Sequence, residues 1–352
     1  MMKLTKAAEY QLKGERNNRP RQPLLYGDRL LVVFVYDKKG LTESRIQCLS
    51  QQGFALLWEY THPDVINNIV LSANNTVLAS CMDGYVLNLD IATGSAIWNF
   101  QCRGNIGPLS NEVASRVVFS GVHGTRATWC LDTATGTKKW SVKNSGHSYR
   151  PSIDTDRVFN SAGNDLYCLH LHNGQVLWQA KEPKTYLFNP FAVQDFVIAS
   201  GHGMLNFYSQ KGGKHVSTLY TGLNIQESTS EIHEVIADDT SIYFGDRKGL
   251  FYCYALPESQ AGFLGWIPGW GSKPVCKWKI ETGGGIESIP AFFQNNVLVM
   301  NNSRQLFSFS RSSGKVEGEI KIKGAGFISG LSVAKDSVFY SCYGGYVVKL
   351  SV

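Results

Sequence analysis

Eight cysteines and eight histidines are the side chains of this 352-residue chain best suited to metal, redox or nucleophilic chemistry. No two cysteines form a CxxC pair, and no HExxH, GxSxG or phosphate-loop pattern occurs. Spacing therefore offers neither a metal knuckle nor an activated nucleophile. Only His170 and His172 are spaced to share one strand face, and His170 stands where related stretches carry a turn aspartate, so turn hydrogen bonding is its expected role. Cys48, Cys130 and Cys168 each lie ten residues before a tryptophan (Trp58, Trp140, Trp178), and Cys253 occupies the matching stretch further on. Such recurrence belongs to a repeated fold, in which equivalent positions sit too far apart for a disulfide and small buried packing residues are expected. Cys81, Cys102, Cys276 and Cys342 show no inferable pairing. The expectation is no catalytic residue, no cofactor and no metal.

The elements behind this recurrence can be read by superposition. DGYVLNLDIATGSAIW (Asp83 to Trp98), TRATWCLDTATGTKKW (Thr125 to Trp140) and GNDLYCLHLHNGQVLW (Gly163 to Trp178) align without gaps. Each holds an alternating segment ending in leucine, a polar turn closing on glycine, and a second segment carrying tryptophan, which is the pattern of a β-hairpin. Asp90 and Asp132, with Thr93 and Thr135, can hydrogen-bond the turn backbone, and the glycine accepts a positive φ. Trp58, Trp98, Trp140 and Trp178 follow one another at 40, 42 and 38 residues. Trp278 comes 100 residues later, which is two periods plus an excess supplied by ALPESQAGFLGWIPGWGSKP (255–274).

Eight segments precede such turns, from IQCL to the final GYVVKL, and each follows another β-rich run. A period near 40 with four short strands is that of a propeller blade. The expected fold is all-β: one domain spanning 1–352, an eight-bladed β-propeller of four-stranded antiparallel blades. The last copy stops after its third strand, so AAEYQLK (7–13) is expected to close the ring as its outer strand.

An alternating strand followed by Asp-x-x-Thr-Gly and then Trp four residues on resembles the repeat of the pyrroloquinoline quinone (PQQ) propellers. It is strongest in blades two to four and weaker in five to eight. The resemblance implies that the tryptophan docks between blades. Eight-bladed members of that family include quinoprotein dehydrogenases and a non-enzymatic outer-membrane assembly lipoprotein. The rival WD40 propeller is disfavoured because its Trp-Asp dipeptide is absent here. The dehydrogenases are typically longer, carry vicinal cysteines and hold a metal through channel carboxylates; this chain has no adjacent cysteines.

Composition agrees with such a ring. Charged residues make up 18% and there are 35 glycines, which favours turns over long helices. No run of 18 apolar residues occurs, and the first twenty residues carry charges where an export signal needs an apolar stretch. The expected location is cytoplasmic, or periplasmic if an export signal has been removed. A net charge of +6 is spread along the chain, and the basic turn residues Lys38, Lys39, Arg45, His123, Arg126, His202, Arg247, Lys248 and Arg304 alternate with acids. Binding of nucleic acid or an acidic partner through that face, and a quinoprotein-type binder or enzyme using the axial channel, are the alternatives to the leading expectation. That expectation is a non-catalytic protein-interaction scaffold, monomeric or part of a hetero-complex. Candidate contact residues are Phe263, Leu264, Trp266, Ile267 and Trp270 in the aromatic insertion of blade six. The axial loops of one face add His147, Tyr149, Arg150, Tyr186 and Phe188.

Overall fold

Each hairpin of the repeat is apolar on both faces of its middle strands, so it can shed water only by stacking against the next copy. The computed structural model shows this stacking carried round a full ring. It describes residues 4–11, 18–38, 40–123, 125–146, 148–181, 188–222, 232, 234–257, 273–322 and 328–351. Among these are thirty-two strands in eight sheets, all antiparallel, with no helix.

Blade two shows the plan, running outward from the axis as Ile66–Ser72, Thr76–Cys81, Tyr85–Asp90 and Ala96–Gln101. The second strand is buried on both faces, whereas the outermost alternates between exposed and half-buried positions. The core is accordingly a series of layers between neighbouring blades. One such layer joins Leu31, Val33 and Ile46 of blade one to Val77, Ala79 and Leu89 of blade two.

The tryptophan is the lock between blades. Trp58, Trp98, Trp140, Trp178 and Trp278 each donate an indole N–H to a backbone carbonyl of the following blade, those of Ile91, Thr133, Leu171, Gln210 and Arg311, at 2.7–3.1 Å. Its cross-strand neighbour is the recurrent cysteine: Cys48 faces Trp58, Cys130 faces Trp140, Cys168 faces Trp178 and Cys253 faces Trp278. All four thiols are buried, as expected of small residues beside a large ring. The turn chemistry is likewise as the sequence suggests. Asp90 Oδ1 accepts from the N–H groups of Ala92 and Thr93 and from the Thr93 hydroxyl at 2.8–2.9 Å, bonds that hold its carboxyl below the usual range.

Two blades depart from the plan near the axis. In blade one the inner strand is split into Asn18–Pro20 and Leu24–Tyr26, which both pair with Arg29–Lys38. In blade three only Arg116–Ser120, Ala127–Asp132 and Lys138–Lys143 form a ladder. Its inner position is an irregular segment held by the bridges Ile106 to Gly121 and Val113 to Arg116. Pro108 in that segment has no N–H to donate, and Leu109 turns its own N–H to Asn68 of blade two.

The ring closes with strands from both ends of the chain. Thr5–Gln11 pairs antiparallel with Tyr346–Ser351, from Thr5 opposite Ser351 to Gln11 opposite Tyr346. The closing strand thus begins two residues before the expected 7–13, whose last two residues lie outside the described part. Blade eight becomes four-stranded, and the edge of its third strand is covered.

Candidate functional site

The inner strands enclose an axial channel of about 820 Å³ to which all eight blades contribute, from Arg21–Leu24 in blade one to Ser332 in blade eight. Amide and charged side chains reach it because each inner strand has one edge hydrogen-bonded to the second strand and turns its other edge to the axis. Among the described residues two carboxylates line it. Glu112 accepts from the Ala73 N–H at 2.8 Å and the Thr133 hydroxyl at 2.9 Å, which ties blade three to blade two.

Glu234 is the centre of a second network. Arg150 Nη2 donates to Glu234 Oε2 at 3.0 Å, and Asn189 Nδ2 donates to Oε1 at 3.2 Å. The Arg150 N–H in turn donates to Asn189 Oδ1 at 3.1 Å. These three residues lie one or two positions before the inner strands of blades four, five and six, so the repeat sets them side by side at one mouth of the channel. Next to them Tyr149 meets Phe188 edge to face, with ring centroids 4.9 Å apart, and Phe188 meets His202 at 5.3 Å. His202 sits between the second and third strands of blade five, so these turns and the axial loops share one face.

Three of the expected contact residues, Tyr149, Arg150 and Phe188, are therefore brought together. Phe188 is 4% exposed and acts as the support on which Tyr149 rests. His147 and Tyr186 lie outside the described residues, as do Phe263, Leu264, Trp266, Ile267 and Trp270. The insertion that holds the latter five leaves and rejoins blade six where Ala255 N–H bonds Val275 O at 2.8 Å, between the third strand and the outer one. That position is at the end of the blade opposite the Arg150 mouth. The attachment of the insertion and the Arg150 mouth are thus at opposite ends of their blades, which spacing alone did not reveal.

Asn189 and Glu234 carried no signal in the sequence beyond their place before an inner strand. Among the basic turn residues, Arg45 pairs with Glu43 at 2.7 Å and lies over the Tyr36 ring, while Arg247 pairs with Glu287 at 3.4 Å. Carboxylates thus interrupt the basic face. What the mouth can do is recognise a ligand: one nitrogen of the Arg150 guanidinium is committed to Glu234, and the side chain remains 37% exposed.

A closed ring with a docked tryptophan in five of its blades and an open polar channel defines a PQQ-repeat propeller. A family model described as outer membrane protein assembly factor BamB matches residues 42–261, and the chain belongs to that family. No curated protein matches the sequence. Among solved structures, BamB from Moraxella catarrhalis aligns with 15% identity and a TM-score of 0.72, over 100% of this chain and 98% of that one. Chaetomium thermophilum Sqt1 bound to the N-terminus of ribosomal protein L10 aligns with 12% identity and a TM-score of 0.78, over 97% and 98%. The C-terminal WD40 domain of Sif2 gives 10% identity and a TM-score of 0.73, over 99% and 98%. The fold is thus shared with propellers of low sequence identity to this chain.

Proposed function

We propose that the chain is a non-catalytic scaffold that holds another protein at the Arg150 mouth of its channel. The observation that carries this reading is the network of Arg150, Asn189 and Glu234 beside Tyr149. Three blades cooperate there to present a fixed arginine and a half-exposed aromatic ring, the residue types that anchor protein interfaces. Sqt1, similar in fold, is a propeller whose structure is known with the N-terminus of a partner protein. The quinoprotein alternative needs free carboxylates to hold a metal beside the cofactor. The two acids that line the channel among the described residues fit it poorly, because both oxygens of Glu112 and both of Glu234 already accept hydrogen bonds. The eight free cysteines support a reducing compartment, and the reading places the protein in the cytoplasm.

Affinity capture at native expression followed by mass spectrometry tests the proposal, comparing the wild type with Tyr149→Ala/Arg150→Ala. A stoichiometric protein recovered with the wild type and reduced at least tenfold with the double variant is the expected outcome. Recovery of the wild type only as a partner-free monomer overturns it. Trp266→Ala/Trp270→Ala, in an insertion that joins blade six at the end away from this mouth, is expected to leave that capture unchanged.

A further inference from the structure

The residue four places after the docked tryptophan has the same duty in blades two and six. In blade two the N–H and thiol of Cys102 cap the carbonyl of Gly84, and in blade six the N–H and hydroxyl of Thr282 cap that of Gly249, each in the turn between second and third strands of its own blade. In blade one this residue is His62. There the second and third strands, Arg29–Lys38 and Leu41–Ser50, run on to ten residues each, so the turn at Gly40 lies beyond reach and His62 instead sits opposite Ser44. Freed from the turn, its imidazole crosses to blade two, where Nε2 lies 3.0 Å from Asp83 Oδ2.

A third donor stands beside this pair. Cys81 ends the second strand of blade two, and its sulfur, the histidine nitrogen and the aspartate oxygen all lie within 4.8 Å of one another. His62 and Cys81 are buried at 5% and 0% exposure, while Asp83 stays partly open to solvent. The backbone around them is fixed by Met82 N–H to Val65 O and Gly84 N–H to Cys81 O, at 2.7 and 3.1 Å. Asp83 Oδ1 takes the Tyr85 N–H at 3.4 Å, which leaves Oδ2 facing the histidine. The Tyr85 ring meets the imidazole edge to face at 5.9 Å and fixes its plane.

We infer that His62, Cys81 and Asp83 form a zinc site that clamps blade one to blade two. Tetrahedral zinc bonds of about 2.0–2.3 Å put neighbouring ligand atoms roughly 3.3–3.7 Å apart, so side-chain rotations of about an ångström close the set. One thiolate, one imidazole and one carboxylate suit zinc among the common divalent ions, and a water completes the fourth position on the open side of Asp83. On binding, the Cys81 S–H bond breaks, its proton leaves to solvent and the sulfur lone pair forms the Zn–S bond; no oxidation is involved.

The experiment titrates the metal-free full chain with Co²⁺ as a spectroscopic stand-in, then with Zn²⁺. One equivalent is expected to give a thiolate-to-cobalt charge-transfer band that Zn²⁺ displaces, with a rise in melting temperature. Cys81→Ser abolishes the band. Asp83→Asn, which keeps all eight thiols, weakens cobalt binding at least tenfold, and Cys276→Ser, at an exposed thiol, changes neither readout. Absence of a band in the wild type, or an equal band in Asp83→Asn, overturns the site; the latter variant decides the matter even where Cys81→Ser fails to fold.

Discussion

At Gly136 two separate demands fall on one position. Its φ of +70° is one that side chains with a Cβ rarely adopt, and a Cβ built there would lie 2.7 Å from the Trp98 ring of the preceding blade. Gly94, Gly174, Gly213 and Gly314 meet the preceding tryptophan in the same way. Gly53, the turn glycine of blade one, shares the positive φ of +79° but has nothing within 4 Å, because the strand before it in the ring is Thr5–Gln11, which brings no tryptophan. The pair separates backbone strain from docking. Gly53→Ala is expected to cost about 1–2 kcal/mol through its backbone alone. Gly136→Ala should cost about 1–3 kcal/mol more, because the Trp98 indole must move and its bond to Thr133 O is strained. Denaturant midpoints at unchanged slope measure both, and equal losses would dismiss the lock as a source of stability.

Elements differ in how openly the sequence displays them, and the reason is the range of the interactions that make them. Blades two to four are plain because Asp-x-x-Thr-Gly and Trp encode a turn, a bulge and a dock within sixteen residues. The irregular inner segment of blade three is opaque, since it depends on Pro108 withholding a donor while Asn68 supplies an acceptor to Leu109, 41 residues on. The closing strand lies between these cases: a period count shows that blade eight lacks an outer strand, and only pairing across the whole chain fixes its limits at Thr5–Gln11. Tyr10 then does part of the absent tryptophan's work, meeting Phe54 at 6.3 Å, while Phe54 meets Phe339 at 6.4 Å. Deleting residues 1–11 should remove this ladder at several kcal/mol and bare the edge Tyr346–Ser351. A lowered melting temperature with concentration-dependent association in light scattering is expected; an unchanged monomer with an unchanged melt would show the closure to be dispensable.

For the whole molecule the channel mouth is where ring closure becomes chemistry, because Arg150, Asn189 and Glu234 come from three blades and are joined only by the curvature of the ring. Residues 84 apart in the chain give no periodic signal, so this contact was illegible even though Arg150 itself was a candidate. The same network holds neighbouring blades and, in the proposed function, presents a side chain to a partner, and a charge exchange can tell these duties apart. With side-chain exposures of 37% and 19%, the ion pair is only partly shielded from solvent, and its coupling should be about 1 kcal/mol. Arg150→Glu faces Glu234 with a like charge and lowers stability; Arg150→Glu/Glu234→Arg restores most of the loss in a double-mutant cycle. Partner capture behaves differently, because exchanging the two charges rebuilds the pair yet moves the cation from blade four to blade six. Stability should return while capture stays lost. Recovery of both together would mean that the mouth serves the ring alone and that the partner, if it binds this face, reads some other part of it.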